Sequence, residues 1–282
     1  MFGALRGLLA VICCVSVAAW LRCSKLEIEP KLSFIAVGQG DSAVLQSGSH
    51  TVLIDVGPRT DTFDAGERIV VPELYRLGVD SIDVVLLSHP DSDHVGGLPA
   101  IAKRFRIGVV CIPEGFRHNA DMLSWLSRAR ISPQDVFWLD GEADFSVDRF
   151  QVKIIAPPME PGVSDNEGSM FVRIDDGLAS AVLTGDAGSA TEDFMASKNL
   201  DWYAQLVKAG HHGSRWSTGT NWLRKTNPGL AIISVGRNNT YGHPSALVLS
   251  RLSRAHVPYL RTDQHGTATF VVGNSGFELL RR

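Results

Sequence analysis

A layered α/β domain built on mixed sheets is the fold class this sequence predicts, and three observations predict it. Strand and helix patterns alternate from residue 31 to residue 272. Some neighbouring strands are joined by tight turns and others are separated by helices, so antiparallel and parallel pairs must mix. No repeat, low-complexity tract or linker divides the chain, and its 282 residues, 44% apolar and 20% charged, suffice for a real core.

The stretch 31–37 (KLSFIAV) reads as a strand that ends at the turn Gly38-Gln39-Gly40-Asp41. Strands at 43–46 and 51–56 flank Ser47-Gly48-Ser49. Over 67–77, Val70, Val71, Leu74 and Leu77 share one helical face, with Gly78 just past the end. The buried-strand run 83–87 opens into His89-Pro90-Asp91-Ser92-Asp93-His94, and a helical stretch follows to about residue 105. Next come a strand at 107–112, a helix at 120–129, and strands at 150–155, 170–174 and 179–184. A helix at 189–197, strands at 204–208 and 230–235, a helix at 245–255 and a closing strand at 267–272 complete the pattern.

The first 25 residues are of another kind. Arg6 precedes an apolar run over 7–21, closed by Arg22 and Lys25. As a helix that run spans ~22 Å, short for a membrane crossing, which needs roughly 20 apolar residues. It suits a signal peptide cut after Val17-Ala18-Ala19, or, with 1–5 added, a short membrane anchor. The expectation is a domain over 26–282 that is exported or anchored to the inner membrane, outside the cytoplasm. A net charge of −3 excludes whole-surface attraction to nucleic acid but not a local basic patch. Cys13, Cys14 and Cys23 lie in the N-terminal segment and Cys111 is alone in the body, which excludes a disulfide framework and a Cys-based zinc site there.

Chemistry concentrates in a few segments. His89, Asp91, Asp93 and His94 directly follow a buried strand, where a rigid sheet positions a loop. They offer the nitrogen and oxygen donors that zinc or manganese takes. Gly96 and Gly97 let the next helix start close against them. A plainer reading has Asp91 and Asp93 capping that helix, but it leaves the two imidazoles unexplained. The strand ending Leu183-Thr184-Gly185-Asp186 delivers a carboxylate able to bridge two cations. Another strand runs into Gly210-His211-His212-Gly213-Ser214, and Tyr241-Gly242-His243-Pro244 puts a histidine in a tight turn. Arg215 and Trp216, beside the histidine pair, are suited to grip a phosphate and stack a base. Lys103, Arg104 and Arg106 could touch phosphates but read better as a solvated helix face. Gly38 to Ala43 fits a loose dinucleotide fingerprint but leads into a strand rather than a helix, and no G-x-S-x-G elbow exists for a serine hydrolase.

Taken in order, these segments, together with Val37 to Ser42, Leu53 to Gly57 and Asn166-Glu167-Gly168-Ser169, resemble the metallo-β-lactamase fold. Within it they resemble the C-terminal hydrolase-like domain of the ComEC DNA-uptake competence proteins. The resemblance covers 32–272. It implies an αββα sandwich, two mixed sheets flanked by helices, with the site along one edge. It also implies two divalent metal ions, Zn²⁺ or Mn²⁺. His89 and Asp91 would hold one, Asp93, His94 and His211 the other, with Asp186 bridging. Many members have His where Asp91 and Asn166 stand, and the ComEC-like branch shares both changes. The oxygen-richer first position favours a harder ion such as Mn²⁺. The implied reaction is cleavage of nucleic-acid phosphodiesters, DNA being the expected polymer, by a metal-activated water. Asp93, His212 and His243 are its expected catalytic residues, His212 or His243 protonating the leaving oxygen. Asn166, Ser214 and Arg215 are expected to face the substrate. Rival readings are a hydrolase of small esters, lactones or lactams, and a non-catalytic DNA-binding module. ComEC proteins carry a multi-span domain ahead of this one, and the short apolar run stands where its last span would end. No protein partner is inferable.

Overall fold

Two mixed β-sheets lie face to face with helices on both outer sides, the arrangement expected from the sequence. The computed structural model describes residues 29–160 and 162–280, so the apolar run 7–21 and the boundary at residue 25 lie outside the described residues. The chain lays down β1 (Lys31–Phe34), β2 (Ala43–Ser47), β3 (His50–Ile54), β4 (Ser81–Leu86), β5 (Arg106–Pro113) and β6 (Val136–Leu139) in one sheet. It then builds the second from β7 (Glu142–Val147), β8 (Phe150–Ile155), β9 (Phe171–Asp175), β10 (Ser180–Leu183), β11 (Leu206–Lys208), β12 (Leu230–Ile233) and β13 (Tyr259–Arg261). With β14 (Ala268–Gly273) and β15 (Gly276–Leu279) it returns to the first sheet, where β14 pairs antiparallel with β1 in the register Leu32↔Phe270.

Both faces of each sheet are covered, which explains the near-continuous apolar strands. Successive side chains point to opposite faces. In β2, Ala43 and Leu45 enter the core between the sheets with Leu32, Phe150, Ile174 and Phe270. Val44 points the other way, into a second core with Leu53, Val85, Leu74, Ile101 and Met122. Trp202, Trp222 and Phe171 form a third under the helices Ser189–Ser197 and Thr220–Thr226. Each such fully buried Leu or Phe contributes about 1.5–3 kcal/mol.

Helices Ala120–Ala129 and Ser189–Ser197 form where the sequence places them. The expected helix 67–77 is instead a π-helical turn, Gly66–Val70, followed by an α-helix, Val71–Arg76. Pro72, at the start of the second piece, has no N–H to give, which interrupts the α ladder. Strands β6, β7, β13 and β15 and helix Thr220–Thr226 have no counterpart in the sequence reading. The strand expected to close the fold is β14, with β15 after it.

The fold positions the site through its parallel pairs. β3 and β4 run parallel, as do β10, β11 and β12, so their C-terminal ends reach one edge of the sandwich. The glycine pair acts as expected: a Cβ on Gly97 would stand 2.1 Å from the Val56 carbonyl oxygen. Only glycine lets helix Leu98–Arg104 start this close to the loop after β3.

Candidate metal centre

Asp55 follows β3 directly, and its carboxylate organises the end of β4. It accepts the Ser88 N–H and O–H, both at 2.8 Å, and the His94 Nδ1–H at 2.8 Å. The Ser88 hydroxyl proton is thereby used, so its oxygen accepts from His89 Nδ1 at 3.0 Å. This network assigns a proton to Nδ1 of both imidazoles, so each Nε2 is the nitrogen left to face a cation.

Asp186 approaches from the second sheet. Its N–H donates to Ser169 Oγ at 3.1 Å. Gly185, at φ +51°, permits the approach, since a Cβ there would lie 2.8 Å from Ser169 Cβ and 2.9 Å from Ser88 Cβ. His94 Nε2 lies 3.2 Å from Asp186 Oδ1, and His212 Nε2 lies 3.3 Å from Asp186 Oδ2 and 3.2 Å from Asp93 Oδ2. His212 donates Nδ1–H to the Ser234 carbonyl at 3.0 Å. Asp41, His94, Asp186 and His212 bring donor atoms within 4.8 Å of one another. Asp41, however, meets His212 and His94 at their Nδ1 atoms, 3.5 and 3.8 Å away, whereas Asp186 meets their Nε2 atoms. It braces the rings from behind. The buried Lys208 ammonium pairs with Asp41 and donates to the carbonyls of Gly185 at 2.9 Å and Ala209 at 3.3 Å.

The electrostatics call for a cation. Burial alone would raise the Asp186 carboxyl, but His212 and His94 hold it well below the usual carboxylate range. Burial likewise lifts Asp41, which Lys208 and His212 pull far down. Burial opposes charge on His212, yet Asp186 and Asp41 push it up to about 10, and His94 is raised well above its ordinary value by Asp186 and Asp55. These protons are the ones a metal would displace. His89 Nε2, His94 Nε2 and Asp186 Oδ1 are buried without a hydrogen-bond partner; the last two are close but misaligned. Buried polar atoms are normally satisfied. The orphaned atoms of His94 and Asp186, meeting from two sheets at 3.2 Å, fit a divalent ion held by nitrogen and oxygen donors.

Of the other expected residues, half-exposed Asp91 lies 3.5 Å from His89 Nε2 and starts helix Ser92–Val95 without a side-chain capping bond, so the plain capping reading is not realised for it. His211, expected as a ligand, and His212, expected as catalytic, stand differently. His212 is fully inside the cluster, whereas His211 is part-exposed, 3.6 Å from Asp186, with Asn166 Nδ2 3.4 Å from its ring nitrogens. The two imidazoles expected to give up a proton stand in different settings. His212 spends one nitrogen on Ser234 and turns the other inward. Burial and the neighbouring His211 and His212 keep His243 below its ordinary pKa of 6.5, hence neutral at pH 7. Ser214, expected at the substrate, is buried, its hydroxyl accepting the Trp216 N–H at 3.4 Å within the loop. Arg215 and Trp216 are exposed. Sequence reasoning gave no role to Asp41, Asp55, Ser88 or Lys208. Their signal was position: each lies at or just beyond the end of a buried strand or in the turn between two.

Comparison with known proteins shows the family and the fold. The sequence model of the Metallo-beta-lactamase superfamily matches residues 35–237. The chain is 30% identical over 272 residues to ComE operon protein 3 of Bacillus subtilis, covering 92% of this chain and 35% of that protein. It is 31% identical over 258 residues to competence protein ComA of Neisseria gonorrhoeae, covering 90% and 34%. The chain thus spans about a third of the length of these relatives. Among solved structures, the metallo-beta-lactamase fold protein YhfI of Bacillus subtilis superposes with a TM-score of 0.55 at 12% identity, covering 83% of this chain and 96% of that one. CmlA of Streptomyces venezuelae, a diiron beta-hydroxylase, gives 0.55 at 14%, covering 86% and 54%. Both likenesses concern the fold alone.

Proposed function

Because the chain belongs to the metallo-beta-lactamase superfamily, we propose that it is a metal-dependent hydrolase of nucleic-acid phosphodiesters that works at this edge of the sandwich. One observation carries the reading: the partnerless Nε2 of His94 and Oδ1 of Asp186 face each other in a cluster of donors that Asp93 and His212 complete, with a third partnerless atom, Nε2 of His89, on the ring beside His94. In this reading His89 and Asp91 would hold one ion and Asp93, His94 and His212 a second, with Asp186 available to both. When bound, two divalent ions supply Lewis acidity, lowering the pKa of water and offsetting charge on phosphoryl oxygens.

The chain's own residues do the rest. Asp55 and Ser88 fix the tautomers of His94 and His89, and Asp41, backed by Lys208, keeps His212 facing Asp93. Part-exposed His211, with Asn166 beside it, offers hydrogen bonds to an unesterified oxygen of the substrate. His243 enters as a neutral ring that can relay a proton from water. Support for unpaired bases comes from a series of rings leading outward from Asp186. His211 stands 5.7 Å from His243, which stacks on Tyr241 at 5.8 Å, and Tyr241 is 70% exposed. Exposed Arg215 and Trp216 lie a few residues beyond His211 and suit a strand of phosphates and bases. That relatives are named competence and recombination proteins supports DNA as the polymer.

The test is a metal-stripped chain assayed with added Mn²⁺ or Zn²⁺ on single-stranded DNA, a bis-aryl phosphodiester and a lactam. Metal-dependent turnover of the two phosphodiesters is the expected result. Turnover of the lactam alone would replace this reading with a small-molecule hydrolase, and DNA binding that survives metal removal without any turnover would replace it with a binding module.

A further inference from the structure

Away from the metal centre, the outer face of the first sheet carries a cavity of about 1030 Å³. Its floor is helix Leu98–Arg104 and the start of β5, and it is walled by the loop after β3 and by the end of helix Ala120–Ala129. One end adjoins the site: Arg59 packs on Gly96, directly after the helix that carries Asp93 and His94. The other end is formed by Arg106 and Arg130, at the opposite edge of the sandwich.

The lining is unevenly charged. Arg59 is paired with Asp64 at 2.9 Å, and Glu67 with Arg104 at 2.9 Å. That leaves Arg68, Lys103, Arg106, Arg128 and Arg130 without a carboxylate partner among the described residues, against Asp61 and Asp135. The five are exposed and span the length of the cavity, on a chain whose net charge is −3. Local surplus against the global sign is the footprint of a polyanion site. Part-exposed Phe63 lies in the same wall, its ring 5.6 Å from the Arg68 guanidinium, a surface on which an unpaired base can stack. The solvated face expected for Lys103, Arg104 and Arg106 is therefore divided. Arg104 is neutralised by Glu67, while its neighbours face the cavity.

We propose that this groove is a second binding site, a track for the phosphate backbone of a single-stranded nucleic acid whose scissile end reaches the metal centre. It rests on the phosphodiesterase reading for the link to cleavage but not for binding itself. Charge–phosphate contacts release counterions, so each one adds about 0.7 to the salt slope of single-strand binding.

The experiment measures binding of a long oligothymidylate to the full chain in EDTA across a salt series, and separately Mn²⁺-supported turnover of that strand and of a thymidine dinucleotide. The groove variant is Lys103→Ala/Arg106→Ala/Arg130→Asn; Asn suits position 130, where φ is +56°. The control variant, Arg224→Ala/Lys225→Ala/Arg254→Ala, removes equal charge elsewhere on the surface. The expected result is a salt slope about 2 smaller for the groove variant and unchanged for the control, with long-strand turnover reduced and dinucleotide turnover preserved. Equal losses in both variants, or wild-type binding by the groove variant, would overturn the track. So would groove-dependent capture of a polyglutamate peptide at the strand's affinity. Groove-dependent strand binding without cleavage of any diester would keep the track and overturn the phosphodiesterase reading.

Discussion

His211 and His212 are adjacent, yet they do different things. Both adopt left-handed backbone, at φ +47° and +53°, and their rings stand 6.2 Å apart at 77°. Such backbone costs a non-glycine residue about 1–3 kcal/mol and persists where the surroundings require it. Here it sends one imidazole inward to Asp93 and the other toward Asn166. His212→Ala is therefore expected to lose metal, and His211→Ala to keep it while turnover falls; elemental analysis beside kinetics distinguishes them, and the reverse pattern would restore His211 as the ligand. Asp55 acts one step back. Replacing it with Asn leaves His94 without its anionic acceptor, and metal affinity should fall about 10–100-fold by chelator competition; unchanged affinity would remove Asp55 from the network. The contiguous half of this site, His89 to His94, is legible in sequence because one loop carries it. The braces Asp41, Asp55 and Lys208 come from separate strand ends, and a single carboxylate or lysine beside a strand looks the same whether it supports a histidine or faces water.

At the scale of elements, helix Ser189–Ser197 holds the loop that displays Arg215 and Trp216. Fully buried Glu192 accepts the N–H groups of Thr218 at 2.8 Å and Gly219 at 2.7 Å, directly ahead of helix Thr220–Thr226. Burial raises its carboxyl from 4.5 to about 7, partly offset by those two N–H groups. A carboxyl raised on folding binds its proton more tightly in the folded state. Its contribution to stability is complete below pH 4.5 and is lost as pH rises through about 7. On the order of 3 kcal/mol should disappear across that window, and Glu192→Gln should flatten this part of the profile. Melting curves at stepped pH check it, and parallel profiles for both proteins would refute it. Elements with long periodic patterns, such as Ala120–Ala129, were readable. Strand β13 has three residues and helix Thr220–Thr226 seven, too short for a period to stand out, and both depend on neighbours for their form.

Over the whole molecule, alternation of strands and helices announces a layered α/β fold, but not that β14 crosses back to pair with β1. That pairing depends on contacts 236 residues apart, such as Ser33 Oγ to Thr269 Oγ1 at 3.0 Å. The assembled edge sets three carboxylates, Asp91, Asp93 and Asp186, beside three imidazoles, His89, His94 and His212, a harder donor set than imidazole alone. A metal-stripped chain should thus regain more activity with Mn²⁺ than with Zn²⁺, and equal or better recovery with Zn²⁺ would count against that donor balance. The centre itself is tested most directly by Asp186→Ala. Metal bound per chain and the rate of phosphodiester hydrolysis are measured together, across a Mn²⁺ titration, for wild type and variant. Removing the carboxylate that faces both His94 and His212 should lower metal content and abolish most of the rate. Full metal content with wild-type turnover in the variant would contradict a hydrolytic metal centre at this edge.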